Sequence, residues 1–184
     1  NLGYRPVRSR HFTHIGDMKW VAKYRWKETD YFNLAAKGEL TLPSGKGPDA
    51  DEIVDVPTGD GQTDLGATLI ADGPLPINGL RWNAFGSFTY QSPGRIERRL
   101  PTSEQDILSA DKESLRRKPG NMMGSGAGLS YEAPFGLSVG AGYAYQYLGP
   151  THYEDGRFES FRYRLLEKEL PSQELHSFSL SAGY

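Results

Sequence analysis

The segment MKWVAKYRWK, residues 18–27, carries Lys19, Lys23, Arg25 and Lys27 at odd positions and Met18, Trp20, Ala22, Tyr24 and Trp26 at even ones. A repeat of two is the side-chain period of a β-strand, so the cations share one face and the apolar residues the other. A stripe of like charge does electrostatic work: it draws anions along a wall, or it is neutralised by carboxylates on neighbouring strands. Polar residues that alternate with the apolar run of their own strand follow in Lys37, Glu39, Asp64, Arg81 and Asn83. A three-residue turn over Glu28-Thr29-Asp30 would set Lys19 opposite Glu39 and Arg25 opposite Asn33, which would neutralise part of the stripe. Two readings follow, a cationic wall beside a path and a packed ionic interior without one.

Catalytic chemistry finds little to work with. Nucleophilic catalysis needs a base within hydrogen-bond reach of the nucleophile. His11, His14 and His152 fall in loops, and His176 sits at a strand mouth beside Ser177, which parity puts on the opposite face. No HExxH motif occurs, and the GxSxG match at Gly136-Leu137-Ser138-Val139-Gly140 has no histidine near it in the sequence; no enzyme, cofactor or metal centre is expected. Two loop clusters carry opposite charge. Asp49, Asp51, Glu52, Asp55 and Asp60 lack the spacing of an EF-hand and read as solvated charge. Arg95, Arg98, Arg99, Lys112, Arg116, Arg117 and Lys118 suit either lipopolysaccharide phosphates or the acidic cluster itself.

The elements that would position these groups are strands throughout. Two-residue alternation predicts seven of them, at residues 17–27, 31–42, 62–71, 80–91, 122–133, 137–147 and 175–184, with no convincing helix. Residues 157–165, after an Asp155-Gly156 turn, alternate too briefly to count firmly as an eighth. Short turns alternate with long polar loops at 43–61, 92–121 and 148–174.

That alternation of loop length, with strands near the ~9–11 residues that span hydrocarbon, is the pattern of a bacterial outer-membrane barrel with short periplasmic turns and long extracellular loops. A soluble barrel or sandwich is the competing reading. Composition agrees with the membrane reading, because 37% hydrophobic residues in 184 make a thin soluble core, whereas 22 glycines and 12% aromatics suit a barrel. A net charge of -2 excludes a basic field for nucleic acid, and cysteine is absent. Trp20, Tyr24, Trp26, Trp82, Tyr90, Tyr131, Tyr145, Tyr147 and Tyr184 are placed to form aromatic girdles at the lipid headgroups. FSLSAGY at 178–184 looks like the terminal strand of such a barrel. The expected fold is therefore all-β, an antiparallel up-and-down transmembrane barrel in one domain, residues 1–184. Since single-chain bacterial barrels have even strand counts, at least one strand preceding Asn1 is expected as well. Opposite the cationic stripe, Gly124, Gly126, Gly128 and Ser130, then Ser138, Gly140, Gly142 and Ala144, leave a bare wall that makes room for solute or a plug, or serves strand curvature.

Stretches of the first half also resemble a family. GDMKWVAKYRWK, then Leu42-Pro43-Ser44-Gly45, then the Gly-rich start GQTDLG at 61–66 resemble the outer-membrane proteins of the MetA-pathway phenol-degradation family and related transporter-like barrels, over about residues 16–90. Ser44 stands where that family's pattern has Thr. The resemblance implies a porin-like channel or uptake protein for small, hydrophobic or aromatic solutes, in contact with membrane lipid and lipopolysaccharide. The alternative is an accessory barrel that anchors envelope protein partners.

Overall fold

The computed structural model describes residues 3–5, 15–52, 55–106, 108–158 and 160–184. In chain order the elements are β1 (Met18–Glu28), β2 (Asn33–Leu42), β3 (Asp64–Pro74), β4 (Leu80–Gln91), β5 (Gly94–Arg99), β6 (Lys112–Lys118), β7 (Met122–Glu132), β8 (Ser138–Leu148), β9 (His152–Glu154), α1 (Ser160–Lys168) and β10 (Gln173–Gly183). The seven long strands fall on the seven alternating segments. They form one antiparallel meander in the order β1-β2-β3-β4-β7-β8-β10. The fold is thus mostly antiparallel β.

Among the described residues the sheet is open, and no closed barrel is formed. β1 and β10 each have a neighbour on one side only. With seven antiparallel strands the two edges run in the same direction, so pairing them directly would require a parallel ladder at one seam.

The register of the first hairpin also differs from the expected one. The turn is four residues, Thr29 to Phe32, held by the Thr29 hydroxyl, which donates to the Phe32 carbonyl at 2.7 Å and accepts from the Phe32 amide at 3.0 Å. An even loop would reverse the faces of the partner strand, because slipping a register by one residue flips every side chain. A β-bulge between Arg25 and Lys27 absorbs the extra residue. Beyond it Lys19 pairs with Thr41 and Arg25 with Ala35, two residues away from the expected register, and parity is restored. On the turn side of the bulge the faces are exchanged: Lys27 lies opposite Leu34, on the apolar face, and Glu28 opposite Asn33, on the polar one.

The two faces are buried in the reverse of the usual order. Apolar positions point out: Trp20 is 65% exposed, Leu69 60%, Leu129 51% and Leu180 89%. The inward face holds the polar rows, and its better-covered members include Ala35 and Thr68, both 8% exposed. The buried apolar core among the described residues lies almost entirely elsewhere, in a second small sheet.

That sheet, in the order β5-β6-β9, is built from segments expected to be plain loops, and α1 packs on it. Ile96, Leu100, Leu115, Tyr153 and Leu166 form its core, with Leu100 and Leu115 fully buried. Residues 160–168, which overlap the stretch 157–165 weighed as an eighth strand, are helical. The inward face of α1 is Arg162 and Leu166, one turn apart, and a charged residue at one of two core positions hides the helical period. Arg162 is held by the Pro101 carbonyl at 2.9 Å, the Leu100 carbonyl at 2.7 Å and Asp111 at 2.8 Å. In β5 and β6 a single apolar residue each, Ile96 and Leu115, faces the core among arginines and glutamates.

Candidate functional site

The candidate site is the inward face of the seven-stranded sheet, whose strands bring the residues of matching parity together in rows. One row reads Lys23, Lys37, Thr68, Ser87, Gly124 and Gln146 from β1 to β8; the next reads Arg25, Ala35, Ile70, Phe85, Gly126 and Ala144.

Most of the cationic stripe is answered by carboxylates. Glu39 takes Lys19 at 3.7 Å and Lys37 at 3.2 Å, the first as a diagonal contact across the shifted register. Arg25 turns to Glu28 at 3.1 Å, not to Asn33. Asn33 donates to Asp72 at 3.0 Å, and Arg81 reaches the same carboxylate oxygen at 3.3 Å. Asp64, at the start of β3, keeps one buried carboxylate oxygen without a hydrogen bond. Lys23 has no ion-pair partner among the described residues and faces Lys37 directly across the ladder. The wall is therefore a salt-bridged network that leaves cationic charge around Lys23 and Lys37. Lys27 does not belong to it: the bulge sends it to the other face, where its ammonium lies 4.9 Å from the Phe32 ring centre.

On β7 and β8 the glycine wall is covered by its neighbours. A methyl group on Gly126 would lie 2.5 Å from Cε1 of Phe85, and one on Gly142 2.9 Å from the Ser179 hydroxyl. Side chains from β4 and β10 thus lie across β7 and β8. Beside them an open cavity of about 440 Å³ is lined by Asn83, Phe85, Ser130, Ser177, Ser179 and Ser181 together with the glycine backbone.

Of the aromatic positions proposed as girdles, Trp20, Tyr24, Trp82, Tyr90, Tyr131, Tyr145 and Tyr147 sit on the outward face by their ladder partners. Tyr24 is 70% exposed and Tyr184 98%; Trp26, Tyr90 and Tyr131 are exposed too, whereas Trp82, Tyr145 and Tyr147 are half-buried. Tyr145 and Tyr147 neighbour His176 and Glu174 across the β8–β10 ladder, and the Tyr143 hydroxyl lies 2.7 Å from Nδ1 of His176. His176 and Ser177 do point to opposite faces, as a strand requires. His11 and His14 lie outside the described residues.

The two loop clusters meet. Asp51 binds Arg99 at 2.7 Å and Lys112 at 3.1 Å, and Asp60 binds Arg117 at 3.4 Å. Arg99 also donates to the carbonyls of Ala50 and Ser109, both at 2.9 Å. The acidic loop therefore answers part of the basic one, and among the described residues no group of acidic side chains and histidines has the arrangement of a metal site.

This clamp has a pH window. The hydrogen bonds from Lys112 and then Arg99 hold the Asp51 carboxyl below the ordinary aspartate range, and those to Glu97 and then Asp51 raise the Lys112 ammonium. A depressed acid contributes stability above its unfolded pKa and loses it as pH falls through the folded one; a raised base contributes below its unfolded pKa and loses it as pH rises through the folded one. The clamp should thus stand intact from near neutrality to above the ordinary lysine range and open on acidification below about pH 4. Amide exchange across residues 46–52, corrected for intrinsic rate, should accelerate there, and Asp51→Asn should show the same acceleration at pH 7. Equal protection at both pH values would refute the window.

The fold and inward face define a mostly antiparallel β-protein whose apolar surface is turned outward. No protein-family model matches the chain, and no curated protein matches it.

Proposed function

We propose that this chain forms most of a transmembrane β-barrel of the bacterial outer membrane and acts as a porin-like channel or uptake protein for small solutes. The observation that carries this reading is the inverted burial of the sheet. A soluble sheet that turned Trp20, Leu69, Leu129 and Leu180 to water would expose a large apolar face without compensation. Hydrocarbon removes the penalty, and strands of 10–12 residues match its thickness.

Hydrocarbon also demands closure, since unpaired backbone groups at the β1 and β10 edges would each cost several kcal/mol there. Because the two edges run the same way, an antiparallel closure requires an odd number of further strands between them. The resemblance of residues 16–90 to the phenol-degradation barrels supports a hydrophobic or aromatic solute; the cationic charge around Lys23 and Lys37 supports an inward wall that attracts anions. On the outer side the small sheet and α1 would meet lipopolysaccharide or envelope partners.

Two measurements test the proposal. The folded protein in detergent should migrate faster on a gel than the boiled one, which a soluble sandwich would not do. In planar bilayers the complete protein should conduct with a preference for anions, and Lys23→Glu should reduce or reverse that preference. A shifting band with neither conductance nor solute uptake would leave the accessory-barrel reading in its place.

A further inference from the structure

We propose that Phe85, seated on Gly126, sets the bore of the path along the inward face. This inference rests on the channel reading above. Phe85 projects inward near the middle of β4, opposite Ile70 of β3 on one side and Gly126 of β7 on the other. Ala35 continues the row beyond Ile70, so Ala35, Ile70 and Phe85 form an apolar patch between Arg25 and Gly126 in that row.

The ring does not stand away from the wall. It lies across Gly126, where an added methyl group would meet Cε1 at 2.5 Å and Cζ at 2.9 Å, and also the Tyr143 carbonyl oxygen at 2.9 Å. The ring makes the closest contact and must swing aside, and the Tyr143 carbonyl must also give slightly. Glycine in a strand commonly marks such a close approach, and an aromatic laid over it restores the packing that the missing side chain gives up. Gly126 is therefore the seat that keeps a large inward side chain flat, and the flat ring forms one border of the 440 Å³ cavity. Lifting the ring narrows the path. Deleting it widens the path and removes an apolar surface that hinders hydrated ions.

The test is a double-mutant cycle in single-channel conductance, with gel migration verifying that each variant is folded. Gly126→Ala should lower conductance by about twofold or more, and Phe85→Ala should raise it above wild type. The double variant should lie close to Phe85→Ala alone, because without a ring the methyl group meets only the Tyr143 carbonyl oxygen and moves no side chain into the path. A Gly126→Ala channel with wild-type conductance, or a double variant that combines the two single effects additively, would overturn the assignment while leaving the channel reading intact. Should Gly126→Ala fail to fold, Phe85→Ala decides alone, and unchanged conductance in it overturns the proposal. A wild-type protein that neither conducts nor takes up solute would remove the channel reading and this inference with it.

Discussion

Leu69→Arg should destabilise the folded protein in lipid vesicles by about 2–4 kcal/mol, the cost of an arginine on the lipid face of a barrel near the bilayer midplane. Leu69 occupies the middle of β3, faces outward and is 60% exposed. These facts give the experiment its force, because the two environments predict opposite results. For a sheet in water, replacing a 60% exposed leucine with arginine removes no buried contact and falls within about 0.5 kcal/mol of neutral. For a sheet in hydrocarbon the same change forces a guanidinium into a medium that cannot solvate it. Asn83→Arg is the matched control, being inward-facing, exposed and located on the adjacent strand. Reversible denaturant unfolding in vesicles should show a large loss for Leu69→Arg and a small one for Asn83→Arg. Equal, small losses in both would refute the membrane assignment of this face.

The sequence made the long strands legible because each repeats its period for ten residues or more, and every apolar run fell on the outward face. The first hairpin shows where such reading stops. Parity requires the two strands to keep their faces in step, and an odd loop is the simplest way to do so. The chain instead uses an even loop plus a bulge between Arg25 and Lys27, with the same parity beyond it but a register displaced by two residues. Alternation constrains the sum of loop and bulge and cannot separate them. The Thr29 hydroxyl, bonded at both ends of the turn, was the local signal for the longer loop. That displacement changed the candidate site: Arg25 found Glu28, Lys27 left the inward face, and Lys19 kept Glu39 only because a lysine reaches diagonally. The glycine wall was legible as small residues; the ring lying across it was not, since the partner comes from a strand about forty positions earlier. Openness of the sheet is a matter of strand count and direction. The odd count of seven was visible in the alternation.

Leu115→Ala should undo the three-stranded sheet while sparing the large one. This core is thin, with Leu115 and Leu100 its fully buried side chains and Ile96, Tyr153 and Leu166 completing it. Truncating a fully buried leucine costs about 2–5 kcal/mol where the surroundings cannot collapse, and three short strands with one nine-residue helix hold little stability in reserve. Arg162→Met is the companion change. It preserves apolar bulk against Leu166 but strips the Leu100 and Pro101 carbonyls of their donor and Asp111 of its cation, and each buried acceptor left unpaired costs about 1–3 kcal/mol. The long strands share no core residue with this cluster, so their ladders should survive both substitutions. Limited proteolysis of the reconstituted protein is the measurement: wild type should resist cleavage at the arginines and lysines of β5, β6 and α1, and both variants should be cut there while the folded band on the gel persists. Resistance unchanged in both would show that the three-stranded sheet does not depend on this core. Loss of the folded band would show instead that the large sheet depends on the small one, which the separation of their cores argues against.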